Sequence, residues 1–167
     1  MIKLDKVTKT YGNYKALDNL CLEVLSGEIY GLLGANGAGK STTLNMLLGF
    51  TSPDSGSIKI LDSKTNKLIE KSQIGYIAEN VNLYPYLTGI ENLDYFCRIA
   101  DIILDYNTLT DFLVECGLEK EFHSKKVSEY SKGMRQKVGI SIALAKNANV
   151  YLLDEPASGL DPVASNE

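Results

Sequence analysis

The chain has 167 residues, 44% of them hydrophobic and 23% charged, with a formal net charge of −4. This composition supports one ordinary core-forming domain and lacks the basic excess that nucleic-acid binding demands, so no nucleic-acid partner is expected. No run of about eighteen apolar residues is present, which excludes a helical membrane span, and the alternating start Met1-Ile2-Lys3-Leu4-Asp5 is unlike a signal peptide.

In chain order, Ile2, Leu4 and Val7, then Leu20, Leu22 and Val24, recur near period two and predict strands. Residues 28–33 form a short apolar run ending in glycine, the pattern of a buried parallel strand. A glycine-rich loop follows, then a helix over 41–48 stopped near Gly49. The turn cluster Thr51-Ser52-Pro53-Asp54-Ser55-Gly56 leads to a strand over 57–61. The middle of the chain changes period. Thr88 and Glu91 have capping-box spacing ahead of the stripe Ile90, Leu93, Cys97, Ala100. Leu109, Phe112, Leu113 and Cys116 form a second helical stripe ending at Gly117. Ser131 opens a third, with Met134, Val138, Ile142 and Ala145 apolar. Val150-Tyr151-Leu152-Leu153 reads as a strand ending in Asp154-Glu155. The order predicts an α/β domain with a helical insertion. Cys21, Cys97 and Cys116 are odd in number and widely spaced, and read as reduced core thiols of a cytosolic protein.

Gly34-Ala35-Asn36-Gly37-Ala38-Gly39-Lys40-Ser41 matches the P-loop pattern in full. Glycines let successive backbone N–H groups turn inward around phosphate oxygens, and the following helix adds its positive end. Lys40 is expected on the β- and γ-phosphates of ATP and the Ser41 hydroxyl on Mg²⁺. The strand ending in Asp154-Glu155 supplies the complementary carboxylates. Asp154 would hold Mg²⁺ through water, and Glu155 would orient or deprotonate the attacking water.

Around these motifs the chain resembles the ABC-type ATPases along essentially its whole length. The resemblance implies a P-loop NTPase core with an N-terminal antiparallel β-subdomain and a helical signature subdomain over roughly 85–147. Tyr130-Ser131-Lys132-Gly133-Met134 stands where that family carries Leu-Ser-Gly-Gly-Gln; it keeps Ser131 and Gly133 and is similar to variants of exporter-type bacterial members. Ser158, Gly159, Leu160 and Asp161 match the family's D-loop. Tyr11 matches the aromatic that stacks on adenine, and Gly34 to Lys40 with Ser41 and Thr42 would line the nucleotide. Glu79 stands where the family usually has a glutamine near the metal; it reads either as a tolerated variant or as one that tunes the rate. The resemblance further implies two nucleotide-binding domains, identical or different, paired head to tail, with Ser131, Lys132, Gly133 and Met134 of one covering the ATP of the other. It implies a separate integral membrane permease and a cytoplasmic position on the inner face of the membrane. A regulatory cassette with poor hydrolysis and a non-transport relative are the alternatives. The family continues past the D-loop through a strand with a catalytic histidine. The only histidine here, His123, lies in a polar stretch and reads as a surface residue. The chain is therefore expected to be a fragment or truncated product, marginally stable, poorly active, and open in the middle of its sheet.

Overall fold

The computed structural model describes residues 1–156, so the D-loop match at Ser158–Asp161 lies outside the described residues. Strands β1 (Ile2–Tyr11), β2 (Tyr14–Val24) and β3 (Ser55–Ile60) form an antiparallel sheet in the order β2-β1-β3, with helix α1 (Lys40–Leu47) in the same unit, Met1–Lys71. A second unit begins at Ser72. It contains β4 (Ile74–Ile77) and β5 (Val150–Leu153), paired in parallel, and helices α2 (Gly89–Ile99), α3 (Tyr106–Glu115) and α4 (Lys132–Ala145).

The N-terminal strands keep their apolar face through bulges. Leu4 and Val7 are three apart, a spacing that strict alternation would send to opposite faces. Lys6 adopts a left-handed φ of 48° and the β1–β2 register shifts between Leu4 and Val7, so both are buried. Asn19, with φ 49°, marks the matching irregularity on β2 and lets Leu17 and Leu20 share a face. The same alternation turns Cys21 outward. It is exposed, which corrects its reading as a core thiol, while Cys97 is buried and Cys116 half-buried.

The second unit is built on helical stripes. Ile90, Leu93 and Cys97 of α2, Leu109 and Leu113 of α3, and Val138 and Ala145 of α4 form one cluster with Leu118, Val127 and Tyr130. The capping box at α2 is complete. Glu91 N–H donates to Thr88 Oγ1 at 3.3 Å, and Thr88 N–H donates to Glu91 Oε2 at 2.8 Å. His123 is buried, not on the surface. The short 3₁₀ turn Lys120–Phe122 tucks it inward, where Nε2 donates to the Leu118 carbonyl at 2.9 Å and its own carbonyl accepts from Ile90 N–H at 3.2 Å. The local polarity of the sequence hid a residue whose Nε2 and main-chain groups are bonded to backbone.

Residues 28–33, read from sequence as a buried parallel strand, form no ladder among the described residues. Ile29 is 100% and Leu33 93% exposed. A strand apolar on both faces needs neighbours on both edges and cover above and below. The described residues provide no strand beside it. β5 is also less enclosed than its composition suggested: Leu152 is buried, whereas Tyr151 and Leu153 face outward.

Candidate functional site

The P-loop belongs to the first unit and sits on strand β2. Gly39 is the N-cap of α1 with φ 89°, a left-handed conformation that disfavours side chains. A Cβ there would come within 2.5 Å of the Leu17 side chain and 2.6 Å of the Ala16 carbonyl, so glycine is required for space as well as for backbone angle. The buried Thr43 hydroxyl donates to the Gly39 carbonyl at 2.9 Å and locks the first turn of α1. Lys40 curls back over the loop, and its ammonium donates to the carbonyls of Gly34 (2.7 Å) and Ala35 (3.2 Å). Ala38 N–H donates to the Ala35 carbonyl at 3.0 Å. Gly34, Ala35, Asn36, Gly37 and Ala38 are exposed, as is Ser41 at the start of α1, and Thr42 is half-buried beside it. A cationic side chain, exposed main-chain amides and a helix N-terminus thus converge on one open loop, which suits an anion.

The hairpin end lies against this loop. Tyr11 and Tyr14 are directly opposed across β1–β2, and the Tyr14 hydroxyl donates to the Gly37 carbonyl. Tyr11 keeps an exposed ring with the Lys9 ammonium 5.5 Å from its centroid. Lys9 also pairs with Asp54 at 2.9 Å, and Asp54 accepts from Thr10 N–H at 2.7 Å. The hydrogen-bonded Lys9 ammonium, then the Thr10 amide, hold the Asp54 carboxyl below its usual range. Sequence reasoning missed Tyr14, which belongs to no motif; a tyrosine facing another across a tight hairpin was the available signal.

In the second unit, β4 and β5 run parallel, with Ile77 opposite Leu153, and the ladder continues as Asp154 N–H donates to the Ile77 carbonyl at 2.9 Å. Glu79, two residues past β4, and Asp154-Glu155, just past β5, therefore leave the same carboxyl end of the strand pair, where α/β sheets hold ligands. The Tyr76 phenol lies beside the Asp154 carboxylate. Burial first, and then the Asp154 charge, push the Tyr76 phenol above its ordinary pKa. Glu155 adopts φ 45°, a left-handed conformation that is strained for a residue with a Cβ. Among the described residues no three His, Cys, Asp or Glu side chains close into a metal cage. The donors at this strand end, the carboxylates of Glu79, Asp154 and Glu155, are hard oxygen ligands of the kind that suits Mg²⁺, an ion that usually keeps several waters.

Ser131 caps α4, its Oγ accepting from Met134 N–H at 3.2 Å, with Lys132 and Gly133 in the first turn. Tyr130 anchors the segment by donating to the Phe122 carbonyl at 2.6 Å, and Arg135 donates back to the Tyr130 carbonyl at 2.5 Å. Further along α4, Gln136 donates to the Ala78 carbonyl at 3.4 Å and so ties the helix to the segment carrying Glu79. A groove of about 460 Å³ lined by Glu91, Asp94, Arg98 and Tyr106 contains none of these residues.

The phosphate loop on a β-hairpin platform, the acidic strand end and the serine-capped signature helix define an ATP-binding cassette. A family model described as ABC transporter matches residues 17–158, and the chain belongs to that family. It is 41% identical over 169 residues to the bacitracin transport ATP-binding protein BcrA of Bacillus licheniformis, covering 100% of this chain and 55% of that one. It is 37% identical to the Nod factor export ATP-binding protein I of Paraburkholderia xenovorans, covering 98% and 55% respectively. Among solved structures, the dimeric post-hydrolysis state of the ATP-binding cassette MJ0796, bound to ADP and Pi, superposes with a TM-score of 0.83 at 32% identity, covering 99% of this chain and 78% of that one. The chain spans about half the length of the curated relatives it matches.

Proposed function

We propose that the chain is the ATP-binding and ATP-hydrolysing part of an ABC transporter subunit that drives export through a separate membrane permease. The observation that carries the reading is the P-loop itself, in which left-handed Gly39, inward Lys40 and exposed amides meet at the start of α1. In this reading Gly34 to Lys40 with Ser41 and Thr42 hold the triphosphate, and Tyr11 stacks on adenine. Ser41, Asp154 and Glu79 would hold Mg²⁺, which would supply charge neutralisation for the triphosphate. Glu155 orients the attacking water and accepts its proton. Ser131, Lys132, Gly133 and Met134 of the helical region, roughly 85–147, cover the ATP of a second cassette, with Ser158–Asp161 contributing the D-loop contact. The complex works at the inner face of the membrane. Export as the direction rests on the signature variant and on the names of relatives such as the Nod factor export protein.

Equilibrium binding of MgATP to the parent chain and to Lys40→Ala tests the site. A loss of at least about tenfold, equivalent to about 1.4 kcal/mol, is expected. Equal affinity of the two proteins would falsify the assignment.

A further inference from the structure

Tyr14 stands outside every motif read from the sequence, yet its side chain reaches the P-loop from the hairpin. More than half of it is exposed, so burial of the ring does not account for its placement; the hydroxyl is the engaged part, donating to the Gly37 carbonyl. The consequence falls on a single peptide plane. The described peptide bonds are all trans, so the N–H of Ala38 points away from the Gly37 carbonyl on the opposite side of the 37–38 plane. That N–H is turned into the loop, 3.0 Å from the Ala35 carbonyl, next to the carbonyls that hold Lys40. Gly37, at φ 84°, is conformationally free, and a flipped 37–38 peptide would present its carbonyl dipole to an incoming anion.

We propose that Tyr14 is a positioning residue for the nucleotide phosphates: its hydroxyl holds the 37–38 peptide so that the Ala38 N–H stays directed inward, where a phosphate oxygen would replace the Ala35 carbonyl as its acceptor. This rests on the nucleotide reading given above. It divides the labour of the hairpin end, with Tyr11 serving the base and Tyr14 the phosphates.

The test measures displacement of a fluorescent ATP analogue by MgATP and, separately, by magnesium tripolyphosphate, which has no base or ribose. Tyr14→Phe removes only the hydroxyl. It is expected to weaken both competitors by the same factor, about three- to tenfold, the range for one hydrogen bond, with Tm unchanged within about 2 °C. Tyr11→Ala is expected to weaken MgATP alone. Tripolyphosphate binding at parental strength in Tyr14→Phe, or a loss that tracks a lowered Tm, overturns the positioning role. If Lys40→Ala loses affinity while Tyr14→Phe does not, the positioning role alone fails. A parent chain that binds neither competitor takes the nucleotide reading down with it.

Discussion

Residues 28–33 and helix α4 are both glycine-containing apolar segments flanking candidate functional residues, yet they are placed oppositely. Ile29 and Leu33 lie in solvent, whereas Val138 of α4 is fully buried in a cluster drawn from three helices. The difference lies in where each element finds its partners. A helix satisfies its backbone internally and needs only one covered stripe, which α2 and α3 supply within 60 residues of sequence. A parallel strand needs hydrogen-bonding neighbours on both edges, and those come from distant parts of a chain. The apolar composition is the same signal in both places; burial depends on what else is there to pack.

The sharpest way to break this contrast is by truncation of leucine. Leu113→Ala, at a fully buried position, is expected to cost about 2–5 kcal/mol in urea unfolding followed by circular dichroism. Leu33→Ala should stay within about 0.5 kcal/mol. Comparable costs would mean that residues 28–33 are packed in solution after all. Next in size is the helix cap: Thr88→Ala should destabilise the helical unit by about 1 kcal/mol, with Thr88→Ser restoring most of it. An unchanged unfolding midpoint would show that α2 is held by packing alone.

At neutral pH the smallest effect concerns the thiols, where buried and exposed regions are again compared. Burial, reinforced by the Asp94 charge, pushes the Cys97 thiol up to about 11. In the unfolded chain a thiol ionises near about 8.5, so the unfolded state releases its proton first as pH rises. The contribution of Cys97 is whole below that value and is lost as pH climbs towards 11. Cys97→Ala should flatten this alkaline decline. At pH 8, a thiol-specific reagent should label Cys21 in the native protein and reach Cys97 only on unfolding. Equal labelling rates would remove the contrast.

Much of the site was legible because its chemistry is local. The P-loop spacing, the capping box at Thr88 and Glu91, and the serine cap at Ser131 each join residues a few positions apart, and backbone geometry follows from residue type over such distances. His123 was misread for the converse reason. Its neighbours in sequence are polar, but its surroundings in space are the Leu118 carbonyl and the start of α2. Cys21 failed for a different reason: it was judged by its residue type, although the alternation of Leu20, Leu22 and Val24 around it already turns it outward.

Sequence by itself determined the P-loop, the acidic strand end and the helical stripes, since each is written in residue type and short-range period. Tertiary structure alone decided that Tyr14 touches Gly37, that Tyr76 lies beside Asp154, and that Ile29 and Leu33 are exposed. Those outcomes depend on which distant backbones lie alongside one another, and no local rule of conformation encodes that.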